Sequence, residues 1–440
     1  MQVMIIGAGG REHALAWKTA QSQRVKHVFV APGNAGSALE PGISNVDIAV
    51  TDTEALLAFA LEKNIDLTIV GPEVPLVAGV TDRFNAAGLA VFGPTAAAAE
   101  LEASKSFTKD FLQRHGIPTA QYQVFTEVAP AVDYIESLGA PVVVKADGLA
   151  SGKGVIVAAT ERGAMSAVHD MLSGNAFGDA GHKVVIEEFL QGEEASFIAM
   201  VDGTHVLPFA TSQDHKAALD GDTGPNTGGM GAYSPAPVVT QEVHDHIMQD
   251  IMLPTVAGMA QEGRPFTGFL YAGLMIENGQ AKVIEFNVRL GDPETQPLLM
   301  RLDSDLVDLC QLALAGKLNE AKPVWSEKSA IGVVMAAGGY PGSSENGKPI
   351  SGLPDPAKAS ELNSACKVFH AGTATEGDTV VTNGGRVLCV TALGDTVTEA
   401  QYTAYAKVEK ISWDQVQYRR DIAHRAIARE IQQGIKQAKP

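Results

Sequence analysis

The run Val283-Ile284-Glu285-Phe286-Asn287-Val288-Arg289 sets a carboxylate, a carboxamide and a guanidinium at alternate positions. Successive side chains of an extended strand point to opposite faces, so Glu285, Asn287 and Arg289 should share one face and Ile284, Phe286 and Val288 the other. Two hard oxygen donors in a row suit magnesium, which takes few protein ligands and completes its shell with phosphates and water. Arg289 can fork onto a carboxylate or phosphate. The run leads into Leu290-Gly291-Asp292-Pro293-Glu294, which reads as part of a site more than as a plain turn.

A second group with phosphate chemistry is Lys145-Ala146-Asp147-Gly148-Leu149-Ala150-Ser151-Gly152-Lys153-Gly154. A Walker loop would space its glycines one residue further apart, place a hydroxyl after the lysine and run into a helix. Here Gly154 takes the hydroxyl position, and Val155-Ile156-Val157 continues as a strand. The segment is therefore expected to be a hairpin whose glycines let backbone amides approach a triphosphate, with Lys145 and Lys153 offsetting its charge. Glu187-Glu188-Phe189-Leu190, with Glu193 beyond, ends another strand; its backbone suits an adenine edge, and a carboxylate there suits ribose hydroxyls.

At the N-terminus, Gly7-Ala8-Gly9-Gly10-Arg11-Glu12-His13 follows an apolar strand and opens a helix, but Glu12 stands where a dinucleotide fingerprint needs its third glycine. A phosphate at this helix start is expected on dipole grounds, against the plainer reading of a tight turn. Glu73, in Gly71-Pro72-Glu73, would face an amine-bearing ligand from the same edge. The loop Asp220 to Gly231 lacks the acids of a calcium loop and reads as a backbone-lined substrate loop. His13, His215 and His370 show no metal-ligand clustering and are expected in ordinary polar roles.

These groups need a frame. With 440 residues the chain should divide into two or three domains. Short apolar runs at Val3–Ile6, Val28–Val30, Leu67–Val70 and Val91–Phe92 alternate with helical patterns, which predicts an α/β domain with an open parallel sheet over residues 1–103. The four loops after those runs form its expected binding edge. Residues 104–325 should form a second domain with a small α+β lid at about 122–194. Short β segments over 326–440 predict a C-terminal, mainly β domain.

The formal net charge of −18 disfavours nucleic acid and anionic membrane as partners. Three scattered cysteines leave one unpaired under any disulfide scheme, and neither a leader-like N-terminus nor a membrane-length apolar stretch is seen; a cytoplasmic location is expected.

Taken together, the hairpin and the metal strand resemble the ATP-grasp superfamily. More closely, the chain resembles the family of phosphoribosylamine–glycine ligases, nearly end to end. The shared segments are Gly7 to His13, Ala31-Pro32-Gly33-Asn34-Ala35-Gly36, Gly71 to Leu76, Lys145 to Ala150, Gly224 to Pro235 and Arg289 to Gln296. The resemblance implies ATP as cofactor, bound by Lys105, Lys145, Gly148, Ser151, Gly152, Lys153, Gly154, Glu187, Glu188, Phe189, Leu190 and Glu193. It implies magnesium, or manganese, on Glu285 and Asn287. Gly9, Gly10, Asn34 and Glu73 would receive 5-phosphoribosylamine, Arg289, Asp214 and Asp292 would hold glycine, and Lys145 and Arg289 would act in catalysis. The chain departs from the family pattern at Leu290, Ala217 and Ala423-His424. A monomer or weak homo-oligomer is expected. A bicarbonate-using carboxylase of the same superfamily would share the nucleotide half but differ in its acceptor loops, whereas a non-catalytic nucleotide sensor should have lost the metal strand.

Overall fold

The computed structural model describes residues 1–149, 154–173, 182–354 and 365–437. Its first sheet is parallel, in the order Ile43–Asn45, His27–Pro32, Gln2–Gly7, Leu67–Val70, Val91–Phe92. The chain reverses its winding direction between Gln2–Gly7 and Leu67–Val70, and the loops leaving these two strands part there, opening a crevice. Glu12 fills its floor: a Cβ on Gly7 would stand 2.1 Å from the Glu12 Cγ, and one on Gly71 would stand 2.1 Å from its Oε1. Both glycines are thus required by close approach. Three of the four expected binding loops reach a cavity. The fourth, Gly93-Pro94, instead packs on Gly268, where a Cβ would meet the Pro94 ring at 2.8 Å.

The helix Lys105–Arg114, capped by the Ser104 hydroxyl, leads out of this domain. A four-stranded antiparallel sheet follows, ordered Tyr122–Phe125, Val184–Glu188, Val142–Ala146, Val155–Ala158. Strand alternation divides its side chains: Val142, Val144 and Ala146 join a core with Ile135, Val168 and Met171 of the two covering helices, while Val143 and Lys145 face outward to a cavity.

The central sheet is antiparallel, in the order Val206–Pro208, Glu193–Asp202, Thr267–Glu277, Gln280–Asn287. Its two inner strands, Glu193–Asp202 and Thr267–Glu277, are buried on both faces, which explains their continuous apolar runs. Phe197, Ala199 and Val201 pack on Ile247, Val256 and Met259, and Ile198 and Met200 pack on Leu298, Leu306 and Val307.

The last sheet runs Gln213–Asp214, Gly231–Ser234, Ser329–Ala336, Arg386–Gly394, Cys366–His370. The glycine-rich stretch from Asp214 to Ser234, read from sequence as part of the second unit, therefore supplies two strands to the C-terminal sheet. The reason is local: backbone pairing of Gly231–Ser234 with Ser329–Ala336 needs no side-chain signal, and the small residues allow close packing, Gly231 lying against the Gly332 carbonyl.

The N- and C-terminal domains meet through a buried polar knot. His13 Nδ1 accepts from the His370 amide at 2.8 Å, and its Nε2 donates to Glu40 Oε1 at 3.1 Å. Lys367 donates to the same Glu40 oxygen at 2.5 Å. Burial lowers the His13 pKa, so the imidazole stays neutral at pH 7 and the compensating charge is that of Lys367. Burial alone would raise the Glu40 pKa; its bonds to His13 and Lys367 instead bring it down to about 2. A depressed carboxyl pKa contributes stability above its ordinary value of 4.5 that is lost as pH falls toward about 2. Glu40→Gln should cost about 1.5 to 3 kcal/mol at neutral pH, the range for a hydrogen bond to a charged group, and should flatten the fall in stability on acidification. Urea unfolding at neutral and mildly acidic pH checks both parts; an unchanged acid slope would rule out Glu40 as its source.

Candidate active site

The outward face of the lid sheet lies over the edge strand Gln280–Asn287, and a cavity of about 430 Å³ lies between them. From the lid side it is walled by Lys105, Lys145, Gly148, Gly154, Glu187, Glu188, Phe189 and Leu190. Glu285, Asn287, Arg289, Asp214, Asp292 and Glu73 face them. Most of the residues expected from sequence thus converge on one space. Ser151, Gly152 and Lys153 lie outside the described residues.

The lid wall is held by charge. Lys145 Nζ lies 2.8 Å from Glu187 Oε1 and donates to the Ile284 carbonyl at 3.1 Å. Lys105 donates to the Gly148 carbonyl at 2.7 Å. Asp147 accepts from the Ser106 amide at 3.1 Å and its hydroxyl at 2.6 Å, tying the base of the hairpin to the start of the helix Lys105–Arg114. Phe189 remains half-exposed at the rim, beside Leu149 and Val157.

Alternation along the metal strand holds with one correction. Glu285, Asn287 and Arg289 do share the cavity side, and Phe286 and Val288 enter the core. Ile284, expected on the core face, lines the cavity instead, because the pairing slips there: Gly273 opposes Glu285 while Leu274 opposes Val283. The extra residue is a bulge, which turns the Ile284 carbonyl toward Lys145.

Arg289 is heavily engaged. It donates from Nε to Glu73 at 3.3 Å, from Nη2 to Glu102 and Asn287 at 2.9 Å each, and from Nη1 to the Leu290 carbonyl at 3.2 Å. A two-pronged grip on a ligand carboxylate would therefore displace Glu73. Burial pushes the Glu102 carboxyl up to about 7, with Arg289 opposing and Glu73 adding to the rise. Glu285 stays below its ordinary value: against the upward push of burial stand Lys216, Lys145, Lys105 and Arg289. An ionised Glu285 beside the Asn287 carbonyl oxygen, which has a lone pair beyond its bond to Arg289, is a hard-oxygen donor set that fits magnesium or manganese.

A cluster of acids stands next to the metal strand. Glu294 accepts from Tyr271 at 2.7 Å and Ser196 at 3.1 Å, and Lys216 pairs with Glu194 at 2.9 Å. The Asp214 pKa is raised by burial, with Lys216 opposing and Glu294, Glu194 and Glu285 reinforcing. Glu102, Lys109, Glu194, Lys216 and Arg386 escaped the sequence reading. Only Lys109 carried a usable signal, lying one helical turn from Lys105.

Gly9 and Asn34 line a second, adjoining cavity of about 330 Å³, with Gly33, Gly372, Thr373 and Asn383. Arg386 and Asp292 line both cavities. Gly10 lines neither: it backs onto Gln296, whose Nε2 would stand 2.5 Å from a Cβ there. The helix start expected to hold phosphate is already served by its own acid, since the Gly9 amide donates to Glu12 Oε2 at 2.6 Å. Asn34 is committed to structure, capping Ala35–Leu39 and donating to the Ala8 and His370 carbonyls. Glu193, expected at the nucleotide, also lines neither cavity. Arg429 forks onto its carboxylate, and its neighbour Glu194 takes the cavity position.

Contrary to the sequence reading, His215 does cluster, its ligand atom lying with those of Asp222 and His424 within 4.8 Å of one another. Arg419 and Arg425 also bind Asp222, at 2.9 and 2.6 Å, and these cations disfavour a metal there.

The chain matches the N domain, the ATP-grasp domain and the C domain of phosphoribosylglycinamide synthetase over residues 1–102, 103–295 and 330–425. It is 65% identical over 431 residues to the phosphoribosylamine–glycine ligase of Vibrio cholerae, covering 98% of this chain and 99% of that one. With the Escherichia coli K12 enzyme of the same name the identity is 66% over 432 residues, covering 98% and 100%. The crystal structure of phosphoribosylamine–glycine ligase from Thermotoga maritima superposes with a TM-score of 0.82 at 34% identity, over 96% of this chain and 100% of that one. A biotin carboxylase from Campylobacter jejuni shares the fold alone, with a TM-score of 0.71 at 15% identity, over 95% of this chain and 92% of that one. By full-length identity and by all three domains, the chain belongs to the phosphoribosylamine–glycine ligase family.

Proposed function

We propose that this chain joins glycine to 5-phosphoribosylamine at the expense of ATP, giving glycinamide ribonucleotide, ADP and phosphate in de novo purine synthesis. The observation that carries the division of labour between its residues is that two cavities share Asp292 and Arg386 as a common wall. A nucleotide and glycine would occupy the larger, and the phosphoribosyl group the smaller.

Adenine fits the apolar lid face around Val143 and Val157, against Ile284 and Met275, with the hinge backbone from Glu188 to Leu190 at its edge. Lys105 and Lys145 would meet the phosphates, and Glu285 and Asn287 would hold the magnesium. When bound, that ion neutralises charge on the phosphoryl oxygens and fixes their orientation.

The γ-phosphoryl group passes to the carboxylate of glycine, forming glycyl phosphate and ADP. The amine of phosphoribosylamine then attacks the acyl carbon, and inorganic phosphate leaves as the new amide forms. Asp214, Glu194 and Glu294 surround the position for the amino end of glycine. The negative charge of Glu194 and Glu294, with Asp214 as a further acceptor, favours its ammonium form, which cannot attack the acyl phosphate in place of the second substrate. Arg289 supplies positive charge near the reacting carboxylate, held in place by Glu73, Glu102 and Asn287. Arg386, beside the backbone of Gly372 and Thr373, would take the ribose phosphate. Closure of the lid keeps water from the acyl phosphate. The reaction belongs to the cytoplasm, and the buried, unpaired thiols of Cys310 and Cys389 suit a reducing compartment; among the described residues no helix is long and apolar enough to cross a membrane.

The direct test is ADP release with glycine and freshly generated phosphoribosylamine, each omitted in turn; release that ignores either omission would contradict the proposal. Glu285→Ala is expected to lower turnover on the order of a thousandfold, since metal stabilisation of the transferred group is worth several kcal/mol, while circular dichroism and melting stay near the parent. Normal turnover at saturating magnesium would remove Glu285 from the metal site. Arg289→Lys retains a charge but cannot satisfy Glu73, Glu102 and Asn287 together. A loss of roughly 2 to 4 kcal/mol in transition-state stabilisation is expected, the scale of a preorganised electrostatic contact, visible in glycine kinetics with ATP binding little altered. Collapse of ATP binding with glycine dependence intact would move Arg289 to the triphosphate.

A further inference from the structure

Lys109 belongs to none of the motifs that the sequence reading singled out, yet it ends in the nucleotide cavity with its side chain only 3% exposed. Its Nζ lies 2.8 Å from Glu187 Oε2, while Lys145 lies 2.8 Å from Glu187 Oε1. One buried carboxylate is thus shared by two buried ammonium groups. The two lysines are anchored differently. Lys145 rises from the lid strand Val142–Ala146 and has a carbonyl as its other partner. Lys109 rises from the helix Lys105–Arg114 and donates to Thr119 Oγ1 at 2.7 Å, and that hydroxyl donates in turn to the Val283 carbonyl at 2.7 Å.

A lysine that serves a triphosphate must loosen from the carboxylate that holds it beforehand. Leaving a buried carboxylate without a counter-charge is strongly unfavourable, so a Glu187 with Lys145 as its one partner would oppose that release. Lys109 removes the obstacle. It keeps Glu187 compensated whichever way Lys145 points, and Thr119 keeps it from following. The cluster as a whole carries one positive charge in excess, which suits an anionic nucleotide.

We propose that Lys109 is a positioning residue of the nucleotide site, acting as the standing counter-ion of Glu187 so that Lys145 is free to move onto the phosphates. The inference rests on the placement of ATP in this cavity and on no assigned role for Lys109 itself. Burial brings the Lys109 pKa down to about 8, with Glu187 holding it up, so at neutral pH the ammonium form that this role requires still prevails.

The test is Mg·ATP binding by calorimetry on the full chain, with glycine KM measured in parallel. Lys109→Met should weaken ATP by at least about tenfold, because Lys145 then stays locked on Glu187, with glycine KM within about twofold of the parent. Lys109→Arg keeps the charge and should stay within about threefold. The double variant Lys109→Met/Glu187→Gln has no buried carboxylate to compensate, so its affinity should match that of Glu187→Gln alone within about threefold, whatever Glu187 itself gives the nucleotide. Parent-like binding by Lys109→Met, or a double variant that binds more than about tenfold worse than Glu187→Gln, overturns the proposal. If Lys109→Met fails to fold, the comparison of the double variant with Glu187→Gln decides alone. Lys145→Met separates the two levels: unchanged ATP affinity in that variant removes the nucleotide from this cavity, whereas a loss there with parent-like Lys109→Met defeats only the role of Lys109.

Discussion

The deepest charged groups of the main cavity, Glu187, Lys145, Lys109 and Glu102, are placed where water is scarce, and a buried charge without a partner is too costly to keep. That constraint orders the site. Glu187 sits between Lys109 and Lys145, Arg289 between Glu73, Glu102 and Asn287, and Lys216 beside Glu194 and near Glu285. Several of these contacts join separate parts of the chain, Arg289 reaching Glu73 and Glu102, Lys109 reaching Glu187, and Lys145 the Ile284 carbonyl, so the finished cavity requires lid, central sheet and N-terminal domain together. The same pairing sets the protonation states: Glu285 is kept ionised by its cations while burial drives Glu102 the other way.

The backbone frame carries little chemistry but decides who takes part. A single slipped residue in the edge strand moves Ile284 from the core to the cavity and aims its carbonyl at Lys145. In the N-terminal sheet, Gly7 and Gly71 let the Glu12 carboxylate settle into the crevice between two strands, where it caps the first helix by accepting from the Gly9 amide.

Much of this was legible in the residues. The alternation of Glu285, Asn287 and Arg289, the glycine hairpin after Lys145 and the βα rhythm of the first hundred residues are all local patterns, and local patterns survive folding. What was illegible is long-range. Nothing near Glu193 announces Arg429, more than two hundred residues away, and two adjacent glutamates give no hint which of them faces the cavity. Arg386 stands alone after a glycine turn, with no pattern to mark it. His215 is brought to His424 only by pairing of the C-terminal segment with the loop around Asp222. Asn34 shows the opposite case: it lines the smaller cavity, yet its side chain also caps its own helix, which the residue type alone does not announce.

The strand Gly231–Ser234 pairs on one side with Gln213–Asp214 and on the other with Ser329–Ala336. An acid of the cavity, Asp214, is therefore stitched to a sheet whose remaining strands come from the end of the chain. The last hundred residues are consequently not a detachable module. A recombination crossover near residue 325 would hand the site a foreign sheet edge, and a chain ending there would expose two short strands with unpaired amides and carbonyls, open to pairing with a neighbouring molecule. Diversification of this architecture by exchanging its last portion must therefore carry the glycine-rich strand, and Asp214 with it, into the exchange.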